Sequence, residues 1–165
     1  MRKITQIIVL ILCIVGLVGC GNTKAAQTPE ISVTSEQPEE QVAGDNMQQA
    51  KLKIIVGEKV LTATLEENAT TKALIEKLPL TLKMENLYGR EMCYRFGAGT
   101  LPVENQRSDR YEVGDIVYWA PRGSFVILYK QNGEEFERQQ IGHIASGVEI
   151  FEHLGDVDVR FEIER

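Results

Sequence analysis

Residues 51–165 predict a mainly β domain, a closed or nearly closed β-barrel with two short α-helices. Two observations carry that prediction. Apolar and polar residues alternate with period two in several separate runs. Only two stretches break the alternation with helical spacing and capping residues. Closing such a sheet on itself removes its exposed edges, and packing the helices against it buries their apolar faces.

The elements follow in order. Leu52, Ile54 and Val56 face one way, Gly57-Glu58 supplies a turn, and Leu61, Ala63 and Leu65 repeat the alternation, so residues 51–65 read as a hairpin. Asn68 or Thr70 caps a helix that places Leu74, Ile75 and Leu78 on one side, and Pro79 ends it. Strands are predicted over 80–84, 91–96, 115–119, 125–130 and 135–144, with Asn132-Gly133 as a hairpin turn between the last two. The polar stretch 97–114 reads as loop. Ser146 with Glu149 forms a capping box for a second helix, which runs through Ile150, Phe151 and Leu154 and ends at Gly155. In the final strand Val157, Val159, Phe161 and Ile163 share one face. Asp158, Arg160, Glu162 and Glu164 share the other, the pattern of a half-buried strand.

Ahead of this domain the chain has a different character. Met1-Arg2-Lys3 precedes the apolar run Ile7 to Val18, and Gly19-Cys20 follows, the three-part pattern of a secretory signal. The run is shorter than the roughly 20 residues that span a bilayer. Leu17-Val18-Gly19-Cys20 resembles the lipobox of bacterial lipoproteins, which implies removal of residues 1–19 and lipid on the Cys20 thiol. Residues 20–50 then read as the lipidated cysteine and a disordered acidic tether, rich in Thr, Ser, Gln, Pro and acids. The expected location is extracytoplasmic, with the lipid holding the protein to a bacterial membrane.

Charge and cysteine usage agree with export. The net charge of −6 opposes nucleic-acid binding, which draws on Lys and Arg neutralising phosphates. Cys13 leaves with the signal and Cys20 is lipidated, so Cys93 alone remains and no internal disulfide can form. Cys93 reads as a small core hydrophobe.

The domain resembles a known family. Gly57-Glu58-Lys59-Val60 through Leu78, Gly114-Asp115-Ile116, Gly123-Ser124-Phe125-Val126-Ile127 and Ile141-Gly142-His143-Ile144 are similar to segments of cyclophilins. Leu78-Pro79-Leu80-Thr81-Leu82, Leu101-Pro102, Leu128-Tyr129-Lys130 and Leu154-Gly155 are similar to the small bacterial cyclophilin-like family. The resemblance covers essentially all of 51–165 and implies a cyclophilin-like barrel. Cyclophilins are peptidyl-prolyl isomerases whose site uses an arginine on the strand after the first helix. That strand here reads Leu80-Thr81-Leu82-Lys83-Met84 and has none. Arg95, one strand later, is the candidate substitute.

Isomerisation needs an apolar cradle and a cation that hydrogen-bonds the twisting amide, against an uncatalysed barrier of about 18–20 kcal/mol. Arg95 with Tyr94, Phe96, Trp119 and Phe125 is one such set; the plainer alternative has Tyr94 and Phe96 filling the barrel while Arg95 meets solvent. Tyr94, Trp119, Phe125 and Tyr129 are also candidates to line a ligand pocket in the barrel mouth. Trp119 precedes Ala120-Pro121-Arg122-Gly123, a turn that can present an aromatic and an arginine together. His143 and His153 lack the companion ligands of a zinc site, and no cofactor motif is present in the sequence. The reading is a tethered cyclophilin-like binding or accessory module for a peptide, protein or small ligand. The alternative is a divergent prolyl isomerase assisting exported proteins.

Overall fold

The computed structural model describes residues 50–164. The expectations of a signal peptide over 1–19, a lipidated Cys20 and a tether up to residue 49 lie outside the described residues.

The strands are β1 (Lys51–Val56), β2 (Lys59–Leu65), β3 (Leu80–Leu87), β4 (Glu91–Arg95), β5 (Asp115–Trp119), β6 (Ser124–Leu128), β7 (Gln139–Ile144) and β8 (Val157–Glu164). They close into a barrel in the order β1-β2-β7-β5-β6-β4-β3-β8. Every neighbouring pair is antiparallel. β8 completes the barrel by pairing with β1 on one side and β3 on the other. Among the described residues no strand is left with a free edge.

The predicted alternation sets the inside and the outside. Leu52, Ile54, Met84, Met92, Ile127, Val159 and Phe161 are among the residues of one apolar core within the barrel. Phe125 stands edge-on to Phe161, with ring centroids 5.2 Å apart. The helix α1 (Ala69–Ile75) begins as predicted: the Asn68 side chain accepts a hydrogen bond from the Thr71 N–H at 2.9 Å. It contributes Leu74 to the core.

Four local expectations are corrected. The segment after Ser146 is a 3-10 helix, Val148–His153, and its cap is Gly147 in the left-handed region, with no side-chain hydrogen bond at the cap. Phe151 and Val148 are pulled into the core, and that burial sets the local path in place of the capping box. The barrel therefore carries one α-helix, and Ala120–Arg122 is a further 3-10 turn. β3 runs on to Leu87, beyond the predicted Met84. Finally, β6 and β7 are not neighbours: both pair with β5, which lies between them. Asn132-Gly133 thus turns within a crossing connection rather than a hairpin. There Arg107 and Arg138, and Arg110 and Glu135, form isolated bridges.

That connection and the 97–114 loop cover part of the barrel exterior. Tyr111, Val117, Val126, Leu128 and Cys93 form a second apolar cluster there. Arg138 is fully buried in the covering layer. Its guanidinium donates to the Asp109 carbonyl at 2.6 Å and to the Asp109 carboxylate at 3.2 Å. It also lies over the Phe136 ring.

Candidate functional site

Strand register assigns each side chain of β4, β5 and β6 to a face. Tyr94 opposes Phe125, which opposes Tyr118, and this row points into the barrel. Cys93, Val126 and Val117 form the next row, and Arg95, Ser124 and Trp119 another. These two rows point outward. A period-two strand leaves no other option.

The sequence-predicted residues therefore separate into two groups. Phe125 and Tyr129 are buried in the barrel core, and Tyr94 and Phe96, half-buried, pack against it: Tyr94 packs edge-on to Phe96 at 5.0 Å, Phe96 lies 6.2 Å from Phe125, and Tyr129 donates its hydroxyl to Asn86 at 2.6 Å. Arg95 and Trp119 stand together on the outer face. The structure does not bring the aromatic set into one pocket.

It does form a cleft of about 370 Å³ on that outer face. Cys93, Ser124 and Val126 supply a small-residue floor. Trp119, Arg122 and Arg95 stand at one end; Leu87, Tyr88, Arg90, Glu134 and Phe136 stand at the other, with Glu91 beside them. The volume falls in the range of small-ligand sites.

Two tight turns hold the ends. After Trp119, the chain makes the Ala120–Arg122 turn and closes at Gly123, with φ +60 and an N–H bond to the Ala120 carbonyl at 3.1 Å. A Cβ at Gly123 would collide with the Gly97 carbonyl, so only glycine lets the turn press against the chain after β4. Phe96 donates its N–H to the Gly123 carbonyl at 2.9 Å, which pins the two segments together. At the other end Tyr88 (φ +57) and Gly89 (φ +62) are both left-handed, and the Arg90 N–H bonds back to the Leu87 carbonyl. This is the pattern of a type I′ turn, where Asn or Gly is the usual first residue. A tyrosine there costs roughly 1–2 kcal/mol, yet Tyr88 is 79% exposed and its ring lies 5.5 Å from the Arg90 guanidinium.

Three arginines meet the cleft of an acidic protein, and their pairing differs. Arg95 donates to Glu85 at 2.5 Å, a bond that holds its guanidinium above the usual range. Arg90 donates to Glu134 at 2.7 Å and lies 3.7 Å from Glu91. Burial raises the Glu91 carboxyl, against the pull of Arg90 and Arg95. Arg122, exposed on its turn, has no hydrogen bond or ion pair with a described residue. Burial also pushes the Cys93 thiol up, against the pull of Ser124 and Arg95. The arrangement can bind and orient an amphipathic group.

The histidines lie elsewhere. His143 Nδ1 is 3.0 Å from the buried Asp115 carboxylate, which also accepts from the Gln140 amide and the Glu112 N–H. His153 is exposed at the end of the second 3-10 helix. Tyr88, Arg90 and Phe136 are cleft residues that sequence reasoning missed. Gly89 between two alternating runs was the available signal for the first two; nothing local marks Phe136.

Comparison with known proteins yields a family and a fold. The family model described as "Cyclophilin-like family" matches residues 54–164. No curated protein matches the chain. Among solved structures, a hypothetical protein from Archaeoglobus fulgidus, determined in solution, aligns with a TM-score of 0.55 and 18% identity. The alignment covers 72% of this chain and 98% of that one. At that identity the likeness concerns fold alone.

Proposed function

The chain belongs to the cyclophilin-like family, and from that premise we propose a membrane-anchored extracytoplasmic lipoprotein whose barrel captures a ligand or partner in its outer-face cleft. The single observation that carries the binding role is that cleft. Small residues form its floor, Trp119 and Tyr88 mark its ends, and arginines rim it. Removal of residues 1–19 and lipid on Cys20 supply the anchor. Cys20→Ser is expected to move the protein from the membrane fraction to the soluble one; a variant that stays with the membrane overturns the lipid anchor.

A second reading is supported by one feature. Arg95 lines the same cleft as Trp119 and Val126, as a prolyl isomerase acting there requires. Against it, the Arg95 guanidinium is engaged by Glu85, and it must leave that carboxylate to reach a substrate amide. The two readings separate in an isomerisation assay with a proline peptide, over an uncatalysed exchange of tens of seconds. The binding module leaves the rate unchanged. Clear acceleration that is lost in Arg95→Ala replaces it with the isomerase.

A further inference from the structure

Resting on the binding reading, we infer that the cleft selects a short extended peptide segment bearing an acidic side chain, with its carboxylate seated on Arg122 beside Trp119. Of the cleft cations, Arg95 and Arg90 are already neutralised by Glu85 and Glu134. Arg122 alone has no partner among the described residues. Its guanidinium has the fork geometry that accepts a carboxylate in two parallel hydrogen bonds.

The backbone that carries Arg122 is also held in place. Pro121 stiffens its turn, and Gly123 seats that turn against Gly97 with no room for a side chain. That fixes where the Arg122 side chain leaves the chain, beside Trp119 at the end of the cleft. The dimensions favour a peptide. Glu91 to Arg95 is five residues, all of β4, and its four steps span about 13 Å, the length of roughly four extended residues. That path ends at Trp119 on one side and Tyr88 on the other, two aromatic surfaces for apolar side chains. Tyr88 keeps a left-handed backbone that asparagine adopts more easily, and the residue is 79% exposed, its ring set against Arg90. Strain kept where the fold gains little burial points to a contact made outside the fold. The closed barrel offers no free strand edge, so side-chain recognition and not strand addition must carry selectivity.

Trp119 is the only tryptophan in the chain, so its emission reports occupancy of this end directly. The full chain is titrated with acetyl-Ala-Glu-Phe-Ala-amide and with its Lys counterpart. The Glu peptide is expected to bind at least tenfold more tightly, with the preference weakening as salt is raised. Arg122→Gln should erase the preference and Arg122→Glu invert it, each with an unchanged far-ultraviolet circular dichroism spectrum. Tyr88→Asn should raise the melting temperature while weakening both peptides. Equal affinity for the two peptides, or a preference that survives Arg122→Glu, overturns acidic selection and leaves peptide capture standing. No binding of either peptide, by emission or by calorimetry, removes the capture reading as well.

Discussion

Phe125 and Trp119 are six residues apart and stand on opposite faces of one sheet. Phe125 is 1% exposed and packs on Phe161 inside the barrel. Phe125→Ala is expected to cost about 3–5 kcal/mol in urea unfolding, from lost transfer energy and the cavity left behind. Trp119 is half-buried at the cleft; Trp119→Ala is expected to cost about 1 kcal/mol. Equal losses for the two would contradict the assignment of faces. Glu91 gives a pH-dependent test. Burial raises its carboxyl above the ordinary 4.5, so between that value and the raised one the native state binds more protons than the unfolded chain. Stability is therefore lost as the pH climbs through this window. Glu91→Gln is expected to raise the urea midpoint at pH 7 and to leave it unchanged at pH 3.5, where the carboxyl is protonated in both states. A gain equal at both pH values would assign the effect to packing.

At the scale of the element, the two helix starts show where local reading succeeds. The Asn68 side chain caps Thr71 while the Glu104 carboxylate accepts from the Ala69 N–H, so two of the exposed N–H groups at this helix start are satisfied. Ser146 and Glu149 have the spacing of a capping box, but Val148 and Phe151 both enter the core, and a 3-10 path from Gly147 places them there. Asn68→Ala is expected to cost about 1 kcal/mol. Ser146→Ala, which removes no cap, should stay within about 0.5 kcal/mol. Thermal or urea unfolding distinguishes them. The site was partly legible at this scale as well. The Trp119 to Gly123 turn was readable as a place where an aromatic and an arginine meet, and Arg95 was readable on its strand. Tyr94, Phe96, Phe125 and Tyr129 were equally good aromatic candidates in sequence. Only the direction of the sheet relative to the core shows that they fill the barrel.

The whole molecule depends on closure. β8 pairs with β1 through Lys51–Ile55 and with β3 through Leu80–Met84. Removing residues 157–165 would open the core on Val159 and Phe161 and leave two bare edges. The shortened chain is expected to lose its cooperative urea transition; a retained transition would show that seven strands hold the core. The sequence by itself determined the β class, the existence of each strand though not the bounds of β3, β6 and β7, the inward set Leu52, Ile54, Val159 and Phe161, and the Asn68 cap, because periodicity and capping are properties of neighbouring residues. Only the tertiary structure decided that β5 lies between β6 and β7, that the connection carrying Arg138 and Phe136 covers the exterior, and that Arg122 beside Trp119 is unpaired among the described residues. Those facts come from pairing residues far apart in sequence, where barrel closure and burial select among arrangements that local patterns leave equivalent.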